Sequence, residues 1–157
     1  MPMLVSADFE SYINYFKDFA ANHPDINFFL YGGVELGIQY ATGHEDFSYP
    51  FLWLEQPEIR SEDNDASQFT EVYYGGVSVI YAPPLDSPQE QTQAEIDSVR
   101  IIYDLQKQML ADNRAKGFIH CSLSGMRKTA VDRAWANNHF GWKLDFELYL
   151  NANGLLS

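Results

Sequence analysis

Cysteine is nearly absent: Cys121 is the single one in 157 residues. One thiol excludes an internal disulfide and any multi-cysteine metal cluster, and it is compatible with a reducing compartment. Histidine is scarce too. His23, His44, His120 and His139 show neither an H-E-x-x-H pattern nor an i, i+4 pair, so no zinc-type ligand set is legible. No stretch approaches the roughly 20 apolar residues that span a bilayer. Met1-Pro2-Met3-Leu4-Val5 lacks a basic region ahead of a long apolar segment, so neither a signal peptide nor a membrane span is expected. Positive charge is thin, with 10 Lys/Arg against 22 Asp/Glu and a formal net charge of -12. A chain of that sign repels phosphate backbones, so direct nucleic-acid binding is not expected. Gly32-Gly33 and Gly75-Gly76 lack the G-K-[ST] or G-x-x-G continuation of a phosphate loop, and they read as bends or turns.

Aromatic side chains are plentiful, with 11 Phe, 10 Tyr and 3 Trp, and hydrophobic residues make up 46% of the chain. That content supports one domain spanning 1–157 with its own core. The clearest pattern runs from Trp142 to Leu150. Trp142, Leu144, Phe146, Leu148 and Leu150 alternate with Lys143, Asp145, Glu147 and Tyr149. A period of two describes a half-buried strand with one wet face, which suits an antiparallel sheet.

Two helices are expected. Ser6 is placed to cap the first, over Ala7–Asn22, in which Phe9, Tyr12, Ile13, Phe16, Phe19 and Ala20 share a face, and His23-Pro24 stops it. Ser87-Pro88-Gln89-Glu90 is a capping box with proline at the first helical position. It opens a helix reaching about Arg114, with an apolar stripe through Ile96, Val99, Ile102, Tyr103, Met109 and Leu110. Strands are expected at Ile26–Tyr31, Tyr49–Glu55, Phe69–Ala82 (one bent strand or two), Phe118–Leu123, Thr129–Ala136 and Trp142–Leu150, with a further one near Glu35–Tyr40. The polar stretch Glu58–Gln68 reads as a loop. Grouped strands without βαβ alternation predict an α+β fold: two helices on one face of a mainly antiparallel sheet, in the order α-β(β)β-α-βββ.

Candidate chemistry is sparse. His120 adjoins Cys121 but points the other way on a strand, so Cys121 reads as a buried structural residue. Cys121-Ser122-Leu123-Ser124-Gly125 lacks the glycine of a nucleophile elbow. Glu62-Asp63-Asn64-Asp65 departs from the EF-hand spacing and reads as a solvated acidic loop. Asp145 and Glu147 share a strand face, as acid–base pairs do, and as many wet-face carboxylates also do. No catalytic residue, metal or cofactor is therefore assigned.

Charge is unevenly spread. Residues 1–112 hold 4 Lys/Arg against 19 Asp/Glu, while 113–157 hold 6 against 3, a net of -15 followed by +3. A molecule polarised in this way suits head-to-tail contact with its own copies. Tyr49, Trp53, Arg127, Arg133 and Trp142 are the candidate contact residues.

Two segments carry a resemblance. Tyr49-Pro50-Phe51-Leu52-Trp53 enters a strand through a Tyr-Pro pair, and Phe140-Gly141-Trp142-Lys143-Leu144-Asp145-Phe146 opens the last strand with Gly-Trp. With the element order, they resemble small structural proteins of tailed bacteriophages and prophages, especially those of Bacteroidetes hosts, and the layout is similar to tail-terminator or tail-completion proteins. The resemblance implies a non-enzymatic α+β subunit that assembles as a ring. Its partners would be itself and tail-tube or head–tail connector proteins, and its place the virion or the host cytoplasm. The alternatives are a small-ligand or protein-binding module on an aromatic-rich sheet and, last, a hydrolase using Cys121 or a carboxylate pair.

Overall fold

A computed structural model describes residues 6–33, 43–63, 68–115, 117, 120–131 and 139–156. Helix α1 (Phe9–Asn22) starts two residues later than expected. Asp8 is its cap, with Oδ2 accepting from the Ser11 amide at 3.1 Å, while Ser6 Oγ accepts from the Asp8 amide. Helix α2 (Pro88–Arg114) begins as the capping box demands, with the Ser87 hydroxyl accepting from the Glu90 amide. A third, short helix, α3 (Asn153–Leu156), was not expected.

Six strands form one mixed sheet: β1 (Phe28–Tyr31), β2 (Phe51–Leu54), β3 (Glu58–Asp63), β4 (Phe69–Tyr81), β5 (Arg127–Ala130) and β6 (Phe140–Asn151). The order is β1-β2-β4-β6-β5, with β3 beside β4 next to the end of β2. β1 runs parallel to β2, and every other pairing is antiparallel. The protein is therefore an α+β fold, as the grouped strands imply.

The long helices cover one face. Tyr12, Phe16 and Phe19 from α1 join Ile101, Ile102, Leu105 and Met109 from α2 in one buried cluster. Their partners keep one parity on each strand: Leu52 and Leu54, then Tyr73, Val77 and Val79, then Leu144, Phe146, Leu148 and Leu150. Each such side chain contributes about 1.5–3 kcal/mol by leaving water. The α2 stripe is rotated from the expected one. Ile96 and Tyr103 are exposed, and the buried line runs Ala94, Ser98, Ile101, Leu105, Met109, Asp112. Two polar residues on that line are satisfied locally. Ser98 Oγ donates to the Val79 carbonyl and accepts from the Trp142 amide, both at 2.8 Å, and so joins the two central strands. Asp112 accepts from the Tyr15 hydroxyl and from Gln108 Nε2, tying α1 to α2.

Two other expectations change, and one open alternative is settled. Glu58–Asp63 is a strand, not a loop, and all six residues are exposed. A strand wet on both faces has no apolar alternation for a periodicity reading to find. Gly75-Gly76 lies inside one continuous strand, β4. The register explains it: Leu54 pairs with Val77 and Glu58 with Tyr74, so Glu55-Gln56-Pro57 bulge against the two glycines. The segment around Cys121 holds a bridge at His120 and a 3₁₀ turn at Leu123–Gly125, ahead of a shorter β5. The proposed strand at Glu35–Tyr40, and most of the Thr129–Ala136 strand beyond β5, lie outside the described residues.

Candidate functional site

The second face of the sheet has no helix over it among the described residues. Alternation places Lys143, Asp145, Glu147 and Tyr149 there, all half-exposed. Cross-strand register sets their neighbours: Ser78 and Thr129 flank Lys143, Gly76 and Arg127 flank Asp145, Tyr74 pairs with Glu147, and Val72 with Tyr149. The outer strand β3 adds Glu58, Arg60 and Glu62 on the same side.

Lys143 is the hub. Its Nζ sits 2.9 Å from Glu55 Oε2 and 3.2 Å from Asp145 Oδ1. Burial alone lowers the ammonium pKa, but the Glu55 hydrogen bond and the charges of Glu55 and Asp145 outweigh it, and the net shift is upward. The side chain reaches Glu55 by crossing Gly76, where an added Cβ would lie 2.7 Å from Lys143 Cε. Arg127 completes the chain of charges, 3.8 Å from Asp145, and Arg60 stacks over Tyr74 at 5.1 Å.

Gly75 does the matching service on the covered face. A Cβ there would meet the Tyr12 hydroxyl and the Phe146 ring. The Tyr12 hydroxyl is buried in that niche without a hydrogen-bond partner among the described residues, and burial pushes its pKa well above the usual tyrosine value.

The four candidate contact residues that are described do not converge. Tyr49 and Trp53 belong to a second cluster on the open face, with Leu30, Phe51 and Ile80. Trp53 is only 5% exposed, and its Nε1 donates to the Gly32 carbonyl. It is a core residue, because four aromatic and aliphatic neighbours close over that corner. Tyr49 is half-buried, with its hydroxyl 2.8 Å from His139 Nε2, and burial lowers the His139 pKa. Arg127 is exposed at the far edge. Trp142 is half-buried against the helix-side core. Lys128, adjacent to Arg127, turns to the helix face and bonds Gln106 Oε1 at 2.9 Å. Arg133 lies outside the described residues.

The candidate reactive groups are placed as follows. Cys121 is buried, and desolvation raises its thiol pKa to about 11, away from the thiolate a nucleophile needs. A polar hollow of about 220 Å³ gathers His120, Ser122, Ser124, Glu147 and Tyr149. Its two serine hydroxyls face each other at 3.0 Å, and no hydrogen bond among the described residues joins His120 to either. Asp145 is engaged by two cations, while Glu147 lies beside Gly125. Among the described residues no group of three or more His, Cys, Asp or Glu is placed to hold a metal ion, and no helix is long and apolar enough to cross a membrane. A larger groove, about 690 Å³, runs between α1 and β1 and is lined by Ile13, Lys17, Ile26, Phe29 and Tyr31 among others.

The class this arrangement defines is an α+β protein with one helix-covered sheet face and one open, ion-paired face. No protein-family model matches the chain, and no curated protein matches it. Sequence reasoning missed Glu55, Gly76 and Ser98. The glycine pair was the available signal for the first two. Ser98 has none, because its role depends on which helix face meets the sheet.

Proposed function

We propose that the chain is a non-enzymatic structural subunit of a tailed phage or prophage, of the tail-terminator or head–tail completion kind. It works by assembling with its own copies into a ring and by contacting tail-tube or connector proteins. The observation that supports this reading is the open sheet face: an ion-paired surface on the far side of the sheet from a deep core. Its charged groups are held by one another, as at Lys143, Glu55 and Asp145. Such groups give a contact surface register and orientation more than raw affinity. The net charge of -12 suits a passage for DNA, since adhesion to phosphate needs cations.

Sedimentation and negative-stain imaging of the purified chain, alone and mixed with a tail-tube protein from the same genome, test the reading. Ring-sized particles are expected in at least the mixed sample. A chain that sediments as a monomer in both samples overturns it.

The groove between α1 and β1 favours a second reading, a binding module for an apolar ligand or peptide. Its lining combines Ile13, Ile26 and Phe29 with the single cation Lys17. Saturable binding of a fluorescent apolar probe, abolished by Ile13→Asp, is the outcome that would promote it.

A further inference from the structure

Two free strand edges on opposite sides of the sheet carry complementary charge: β5, which ends the strand order, and β3, which pairs with β4 beyond the end of β2. On one side β3 presents Glu58, Arg60 and Glu62 on the open face and Ile59 and Ser61 on the helix face, all exposed. On the other side β5 presents Arg127 and Thr129 on the open face and Lys128 and Ala130 on the helix face. Among the described residues no strand pairs with the outer edge of either. Unpaired edges are templates for another strand. β3 is antiparallel to β4, β4 to β6, and β6 to β5. β5 therefore runs opposite to β3, so a second copy continuing the sheet in the same orientation presents an antiparallel partner.

We propose that β5 of one copy pairs antiparallel with β3 of the next, with Arg127 opposite Glu62. This rests on the self-assembly reading above and names the surface that would perform it. Face parity and charge select the register. Arg127 must oppose an open-face residue of β3, namely Glu58, Arg60 or Glu62. Arg60 repels it, and Glu58 leaves most of β5 past the end of the strand. Opposite Glu62, the pairing also sets Lys128 against Ser61, Thr129 against Arg60, and Ala130 against Ile59. Ile59 is one of the large exposed hydrophobics, at 43% exposure, and gains an apolar neighbour. Arg127 is available for the exchange: its side chain is 78% exposed, and its one ion pair among the described residues, to Asp145, is long at 3.8 Å. The contact joins different surfaces of identical chains, so repetition closes a ring wherever the rotation between copies closes.

The test uses the full chain with Cys121→Ser, so that no native thiol interferes. Glu62→Cys and Arg127→Cys are introduced together and the protein is oxidised at high concentration. Within one copy the two positions are separated by three inter-strand spacings of about 4.8 Å, too far for a disulfide, which needs Cα atoms within about 7 Å. A ladder of cross-linked multimers is expected, together with none from Asp18→Cys paired with Arg127→Cys. In parallel, Glu62→Arg and Arg127→Glu should each weaken assembly by about tenfold, more at low salt, and the two together should restore it. Assembly that persists without the ladder or the reciprocal rescue overturns the edge pairing while leaving a ring built by another surface. A chain that stays monomeric at every concentration and gives no ladder overturns the pairing and the self-assembly reading of the purified chain together.

Discussion

On the covered side of β6, Leu144, Phe146, Leu148 and Leu150 are at most 2% exposed, whereas on the open side Lys143, Asp145, Glu147 and Tyr149 remain half-exposed. The same eight residues thus serve two environments, separated by the thickness of one backbone. The covered side is held by apolar area and close packing, where a single methylene matters. The open side is held by charge pairs in contact with water, each worth little. The glycine pair of β4 repeats the division: Gly75 makes room for a tyrosine from α1, and Gly76 makes room for Lys143 on the way to Glu55. Stability and surface chemistry are therefore decoupled. A molecule built in this way can change its open face without endangering its core.

Phe146→Ala sharpens the contrast most. Phe146 stacks on Phe16 at 5.2 Å between ring centroids and touches Tyr12 as well. Its loss is expected to cost about 3–5 kcal/mol, while Glu147→Ala one residue away stays within about 0.5 kcal/mol. Urea melts of the pair check both, and equal midpoints would break the comparison.

Ser98→Ala is next. It leaves the Val79 carbonyl and the Trp142 amide without the hydroxyl that joins them, at an expected cost of about 2–3 kcal/mol. Hydrogen exchange at the Trp142 amide should quicken in step with the loss.

Gly75→Ala should cost about 1–3 kcal/mol by overpacking, because its Cβ meets the Tyr12 hydroxyl. Tyr12→Phe alone removes an unpartnered hydroxyl and should be neutral or slightly stabilising. Combined, the two changes should cost less than the sum of the single effects, and a thermal-denaturation double-mutant cycle measures that coupling.

Lys143→Met, on the open face, should cost about 1 kcal/mol or less, with a coupling to Glu55→Gln of the same small size. The smallest effect is in pH. Burial depresses the His139 pKa below 6.5 in the fold, so the unfolded chain takes up the proton more readily. Stability is intact above pH 6.5 and declines as pH falls from there toward the folded pKa. His139→Gln should flatten that stretch of the denaturation profile, and an unchanged slope would assign it to other groups.

Much of the framework was legible because it is local. The β6 pattern, the capping box of α2 and the stop at His23-Pro24 depend on neighbours within a few residues. The site was less legible. Trp53 is a large aromatic in a strand that opens with a Tyr-Pro pair, yet it is buried in a cluster against which Phe28, Phe47 and Tyr49 pack. Strand β3 was hidden because exposure on both faces removes periodicity. The true stripe of α2 was displaced because Ser98, Gln106 and Asp112 are polar and nonetheless buried.

The sequence by itself determined the two long helices, the strands at the centre of the sheet, the grouping of strands that makes the fold α+β, and the excess of negative charge. These follow from spacing, capping and composition, which are properties of the chain read in order. Only the tertiary structure decided that β1 lies parallel to β2, that a bulge sets Glu55 against Gly76, and that Glu62 and Arg127 stand on free edges on opposite sides of the β4–β6 pair. The physical reason is register. Which strands meet, and in what alignment, is chosen by the joint packing of two helices on one face, and no stretch of neighbouring residues carries that information.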